Sequence, residues 1–349
     1  MNHINILKRS FNITINYRVL WIFGMLLALT SGGGGGNGGG GGGGGGGNNG
    51  GPSNFNWQNP FSGIPQIQIP PAITSAIISI AIGLACLIFI LIVVGTIVRY
   101  VSETALIRMV DEHEKSGEKL TIRQGFKLGW SRAAWRMFLM DLLIGWGFVI
   151  AFLLLLTIAA LPLLVWLTKN TPLQIVGSIT AGGLILLVIF ATIVVALAVS
   201  LIILFARRAC ALEDLGVFAS LRRGFEIVKQ RLGDVLIMGV IMFGVGLLWA
   251  LVTIPIILGI IVAAALFGGL PALLVGSGVG LFTSGATPWI AAAIVGIPLF
   301  LIAVIIPGTL IGGWEKVFSS TTWTLTYREA LAMEKIKEND KQLPTPETT

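Results

Sequence analysis

Charge is scarce in this sequence. Asp, Glu, Lys and Arg make up 11% of its 349 residues, where a soluble domain carries about 25%, and that shortage excludes a water-facing surface over most of the chain. Cysteine and histidine are rarer still, two of each. Cys86 sits midway along one apolar run and Cys210 at the end of another, at different depths, so they cannot meet in a disulfide or a redox pair. His3 has no ligating neighbour, and His113 lies in the run Asp111, Glu112, His113, Glu114 without metal-ligand spacing, so "DEHE" reads as a solvated polar turn and no metal site is expected. A phosphate-cradling loop is missing too, because the one glycine tract has no Lys or Thr and no strand before it.

What is present is apolar length. Hydrophobic residues make up 55% of the chain, and a helix needs about 20 of them in a row to cross about 30 Å of hydrocarbon. Five runs qualify: Ala72 to Val98, Leu142 to Leu167, Leu173 to Ala206, Val235 to Phe267 and Trp289 to Ile311, none holding an Asp, Glu, Lys, Arg or His. An earlier run, Val19 to Thr30, would reach only about 18 Å as a helix. It follows Lys8, Arg9 and Arg18, so it reads either as the apolar part of a cleaved signal peptide or as a retained short first helix. Ala28 and Thr30 make an indifferent cleavage site, whereas Trp21, Phe23 and Gly24 suit a retained helix.

Basic residues set orientation, because short cytoplasmic loops collect Lys and Arg. With the N-terminus inside, the inner segments are the chain start, Arg99 to Arg136, Arg207 to Arg231 and the tail after Trp314, and they hold all but Lys169 of the 23 Lys and Arg. The outer segments, Ser31 to Pro71, Thr168 to Pro172 and Gly268 to Pro288, have no Asp, Glu, Arg or His. The net charge of +7 is then a property of the inner face, and its partner is the anionic headgroups of membrane lipids; nucleic acid is not expected, since no binding motif accompanies the charge. Trp130, Trp135, Trp314 and Trp323 fall at the inner interface and Trp166 and Trp289 at the outer one, where an indole keeps its ring in lipid and its N–H in water. Trp146 and Trp249 fall deeper.

A repeat runs through the inner segments. "TIRQGFKLGWSRAAWRMF" from Thr121 and "SLRRGFEIVKQRLGDVLI" from Ser220 align Arg123 with Arg222, Gly125 with Gly224, Phe126 with Phe225, Leu128 with Ile227 and Arg132 with Arg231. "SFNITINYRVLWIF" is a fainter copy, in which Phe11, Arg18 and Trp21 echo Phe126, Arg132 and Trp135. Each copy is a basic amphipathic stretch, with Thr121 or Ser220 as its helix cap, leading into a span. The expected fold is therefore an all-α integral membrane protein: six transmembrane helices as three hairpin repeats with cytoplasmic amphipathic helices. An axis along the membrane normal would relate the hairpins, as in parallel transporter repeats, although hairpin duplication gives the same pattern with no transport role. Four regions follow: 1–30, an amphipathic segment and short first membrane helix; 31–71, a glycine-rich outer loop; 72–313, the helical membrane domain; and 314–349, a cytoplasmic helix and tail.

"LRRGFEIVKQRLGDVL", "IRQGFKLGWSRAAWRMF", the opening "YRVLWIFG" and the closing "VFSSTTWTLTYREAL" resemble a broad group of bacterial multi-pass membrane proteins, similar to the membrane domain attached to some glycerophosphoryl diester phosphodiesterases. The resemblance implies a helical membrane module of unsettled function in the bacterial inner membrane. A phosphodiesterase domain is not expected, since only Arg328 to Thr349 follow Tyr327.

Candidate sites are few. Ionisable groups inside a membrane are costly and therefore tend to be functional, but the five runs hold none. Asp141 and Asp234 stand at span starts and are expected to meet headgroup water or to pair with Arg136 and Arg231; an ion-coupling carboxylate is the alternative. Arg123 and Lys127 share a helical face, Arg222, Arg223 and Lys229 make a comparable patch interrupted by Glu226, and Arg132, Arg136 and Arg231 adjoin the spans. These eight cations are either general inner-face charge or a defined site for an anionic lipid or a protein partner. Pro162, Pro255, Pro298 and Pro307 can kink spans, and the uncharged "FGGLPALLVGSGVGLFTSGATPW" either caps the outer face or re-enters the membrane under protein cover.

The leading functional expectation is a non-enzymatic membrane protein, a lipid-associated module or a subunit of a larger assembly, with no cofactor. The alternatives are a transporter or flippase for a neutral or lipid-like substrate, for which Thr157, Thr192, Ser200 and Thr253 are the sparse midplane polar groups, and membrane support for a separate phosphodiesterase. A protein partner or homo-oligomer is compatible with each. From Gly32 to Gly51 every residue except Asn37, Asn48 and Asn49 is glycine, which buries nothing and loses most backbone freedom on ordering. The tract therefore reads as a disordered spacer of about 25 Å root-mean-square reach, and Phe55, Trp57 and Phe61 after it as the part able to dock. Deleting Gly32 to Gly51 should leave membrane expression unchanged, as measured by quantitative blotting of the membrane fraction; lost expression would reject the spacer.

Overall fold

The computed structural model describes residues 1–31, 71–168, 171–283, 285 and 287–342, with side chains at 1–31, 79, 82–168, 171–283, 285 and 287–336. The glycine tract, Phe55, Trp57, Phe61 and Lys169 lie outside the described residues. Among those described there is helix and no strand: α1 (His3–Asn16), α2 (Val19–Thr30), α3 (Pro71–Ser116), α4 (Ile122–Gly129), α5 (Arg132–Ala160), a 3-10 helix (Leu161–Leu167), α6 (Thr171–Leu212), α7 (Val217–Gln230), α8 (Leu232–Gly280) and α9 (Thr287–Gln342). The chain divides into two units, Met1–Gly38 with Ile97–Thr349, and Gly39–Thr96. In the second, α3 exposes its side chains from Ile82 to Val94.

Five helical segments are long and apolar enough to cross a membrane: Ile82–Ser116, Arg132–Leu167, Thr171–Leu212, Leu232–Gly280 and Thr287–Ile336. The short first run is different. α2 joins α1 at a 96° bend, so α1 is the amphipathic arm and α2 the apolar one. Three boundaries expected from the sequence move. α8 continues through the expected outer segment as far as Gly280 and α9 begins at Thr287, so this segment is largely helical and forms the tip of a helical hairpin. α9 also runs unbroken past residue 313. The cap of α7 is Gly216, not Ser220, whose hydroxyl instead donates to the Leu215 carbonyl at 3.3 Å. At 49 and 56 residues, α8 and α9 would measure about 73 and 84 Å. Pro255 and Pro271 in α8, and Pro298 and Pro307 in α9, do not end them.

The α8–α9 hairpin closes through small residues spaced four apart. A Cβ at Gly296 would come within 2.6 Å of the Ala272 Cβ, one at Gly268 within 2.7 Å of the Gly296 carbonyl oxygen, and one at Gly276 within 3.0 Å of the Ala292 Cβ. Lipid gives apolar helices no hydrophobic reason to associate, so close backbone approach and dispersion must hold them. α2 meets α9 in the same way, Gly24 lying against the Gly313 carbonyl and Val317. Trp249 of α8 and Trp314 of α9 lie 5.0 Å apart, ring to ring, and so share one depth. Their expected separation fails because α8 and α9 pair in a register that counting along separate apolar runs does not reveal.

The buried core sits at one end of the first unit, the end that carries the basic segments. It gathers Ile6, Ile13, Tyr17, Leu20 and Phe23 of the N-terminal arm, Leu106 and Met109 of α3, Phe205 of α6, Met238 of α8, and Trp323 and Tyr327 of α9. Most large apolar side chains farther along α5, α6, α8 and α9 are exposed. α4 and α7 are held onto this core by glycines: Gly129 of α4 faces the Val101 carbonyl and Ala105, while Gly224 of α7 faces the Ile202 carbonyl and the Ala206 amide. Gly296→Leu is expected to destabilise the protein by about 1–3 kcal/mol through overpacking, whereas Gly308→Leu, with open space at its Cβ, should be near neutral. Thermal unfolding of both in detergent checks this, and equal midpoints would refute the seam.

Candidate functional site

Where the apolar runs end, charged side chains tie the helices together. Arg207 of α6 donates to Glu103 of α3 at 2.8 Å and to Asp141 of α5 at 2.6 Å, and the Tyr100 hydroxyl donates to the same Asp141 oxygen at 2.9 Å. One guanidinium thus joins three helices through its fork of donors. Farther toward the basic end, Arg108 donates to Asp214 at 2.6 Å and to the Ala211 carbonyl at 2.9 Å. Asp214 holds a left-handed φ of 50°, a conformation Asp tolerates, and turns its carbonyl toward Arg136 at 2.5 Å. Arg328 of α9 pairs with Asp111 of α3, Arg9 of α1 with Glu114, and the Tyr327 hydroxyl with Glu213. Arg223 makes a two-point contact with Glu334 at 3.0 and 2.6 Å, and that carboxylate raises the Arg223 pKa.

Inside this girdle lies a polar interior. α9 is buried on every side from Thr321 to Tyr327, and Thr322, Thr324 and Thr326 return their hydroxyls to their own helix carbonyls. Arg208, only 5% exposed, donates to the Leu204 carbonyl at 2.6 Å and reaches the Ser320 carbonyl at 3.5 Å. Among the described residues it pairs with no carboxylate. Its Nε and the hydroxyls of Ser102, Ser320 and Thr321 are buried without a hydrogen-bond partner among the described residues.

The eight cations singled out in the sequence separate into two groups. Arg123, Lys127, Arg132 and Lys229 are exposed and make no ion pair or hydrogen bond among the described residues. The other four are engaged: Arg136 with the Asp214 and Leu215 carbonyls, Arg222 with Glu226 at 3.0 Å, Arg223 with Glu334, and Arg231 with the Met333 sulfur at 3.4 Å and Asp234 at 3.9 Å. Asp141 is corrected: its partners are Arg207 and Tyr100, not Arg136, because Arg136 turns toward the Asp214 carbonyl. Asp234 does face Arg231, and also the N-terminal amine at 3.7 Å and His3 at 3.8 Å, so His3 is not isolated. Sequence reasoning missed Tyr100, Glu103, Arg207, Glu213 and Glu334. Their signal was available in part, since Glu103, Asp141 and Arg207 are among the first charges beyond three apolar runs and carry opposite signs.

A family profile matches residues 9–321, from α1 to the start of the buried stretch of α9. The chain belongs to DUF7544, a family of unknown function. No curated protein and no solved structure matches it. The family match takes in Tyr100, Glu103, Asp141 and Arg207, and together with the five long apolar helices it marks a DUF7544 membrane protein.

Arg207→Met would leave Glu103 and Asp141 without their guanidinium and should cost about 3–5 kcal/mol. Arg208→Met removes a buried charge that no carboxylate meets and should cost less than about 1 kcal/mol. Paired unfolding curves in detergent test the contrast, and equal losses would contradict it.

Proposed function

We propose that this is a non-enzymatic multi-pass protein of the bacterial inner membrane, a lipid-associated module or a subunit of a larger membrane assembly. Both termini lie in the cytoplasm, and six spans form three hairpins, the first with α2 as a short ascending arm. The observation that carries this reading is the division of labour along the helices: mid-lengths leave most of their large apolar side chains exposed, while the buried core, ion pairs and basic charge gather at one end. Such a protein meets acyl chains along its length and headgroups at its basic end.

The repeat reading draws support from α4 and α7, each pressed by a glycine onto the helix before it. The non-enzymatic reading rests on what the ionisable groups near the spans do: Glu103, Asp141 and Arg207 satisfy one another across helices. The likeness to the membrane domain of glycerophosphoryl diester phosphodiesterases supports a module of the same helical kind, able to serve a separate catalytic chain. Single cysteines placed in a Cys86→Ala/Cys210→Ala background test the orientation. In intact cells a membrane-impermeant maleimide should label Thr168→Cys and should reach Gln230→Cys only after permeabilisation; the reverse pattern would overturn the proposed topology.

A further inference from the structure

The two surface-helix elbows are not alike. Between α7 and α8 the cations are largely answered: Arg222 by Glu226, Arg223 by Glu334 and Arg231 by Asp234. Between α4 and α5, Arg123, Lys127 and Arg132 are exposed and have no acidic partner among the described residues. Two indoles flank them, Trp130 at 71% and Trp135 at 62% exposure. Gly129, pressed on the Val101 carbonyl, fixes this elbow just beyond Val98, where the apolar run of α3 ends. The cap of the 29-residue α5 is Ser131, whose side chain makes no capping bond and whose hydroxyl is shielded from solvent without a partner among the described residues. The Ala134 amide donates instead to the Ser131 carbonyl at 3.1 Å, so the start of α5 carries no capping side chain from Ser131. Asp141, farther along α5, does not compete for the three cations because Arg207 and Tyr100 hold it.

We propose that the α4–α5 elbow binds the phosphate of an anionic phospholipid headgroup in the leaflet facing the basic segments. The proposal rests on the lipid-facing reading above and narrows it from general charge to one site. Each component suits that ligand. Guanidinium and ammonium groups donate to phosphate oxygens, the N-terminal end of a long helix adds a favourable dipole, and interfacial tryptophans hold the depth at which phosphates lie.

The test uses the full chain in nanodiscs of mixed phosphatidylglycerol and phosphatidylcholine, with retained lipids counted by native mass spectrometry after detergent extraction. The triple variant Arg123→Gln/Lys127→Gln/Arg132→Gln should retain phosphatidylglycerol about tenfold less, while Arg222→Gln/Lys229→Gln changes it less than about twofold and Arg123→Lys/Arg132→Lys keeps most of it. Independently of any variant, a photoactivatable phosphatidylglycerol should crosslink the wild-type chain within Lys127 to Trp135. Equal loss from both Gln variants, no loss from either, crosslinks confined to other segments, or displacement of the lipid by inorganic phosphate would each overturn the site. Orientation stands apart: a correct labelling pattern with equal losses refutes this elbow alone, whereas external labelling of Gln230→Cys refutes the topology beneath it.

Discussion

Arg207 is the contact on which the architecture turns. Three long helices leave their apolar stretches near one level, and each brings charge or a phenol to it: Glu103 and Tyr100 from α3, Asp141 from α5, Arg207 from α6. A carboxylate so close to hydrocarbon is costly unless paired and hydrogen-bonded. Meeting at one guanidinium removes that cost for two carboxylates together and fixes the mutual rotation of the three helices. The outlying pairs, Arg328 with Asp111, Arg223 with Glu334 and Arg9 with Glu114, then need only attach α9, α7 and α1 to a frame already set.

Glycine does the complementary work where charge cannot go. Between α8 and α9 the seam of Gly268, Ala272 and Gly276 against Ala292 and Gly296 brings two backbones into contact, which in lipid is the available source of attraction between apolar helices. The same residue type anchors the surface helices, with Gly129 of α4 lying against a main-chain carbonyl of α3 and Gly224 of α7 against one of α6. Charge therefore fixes orientation at the basic end and small residues fix approach along the spans.

Much of the fold was legible because its causes are local. Apolar run length gave the five long helices, and the positions of Lys and Arg gave the end where structure concentrates. The breaks were less readable. Gly268 to Pro288 was expected to be an uncharged outer segment, yet its Gly268 and Gly276 are part of what the hairpin packs on. Pairing was the least legible: Asp141 has Arg136 nearby in sequence but finds Arg207, 66 residues away, and helix register decides that. Of the eight cations marked as candidates, composition could not say that Arg136, Arg223 and Arg231 reach groups on other elements while Arg123, Lys127 and Arg132 do not.

That last distinction follows from where α9 goes. Its extension past the apolar run carries Glu334 to Arg223 and the Met333 sulfur to Arg231, so the long helix satisfies α7 and its elbow from the side. α9 also reaches α3 through Arg328, but at Asp111, beyond the Val101 and Ala105 positions on which α4 rests. Two elbows with closely related sequences thus acquire different chemistry from a third element. The second is locked into the protein by its ion pairs, and the first keeps its cations and its indoles turned outward.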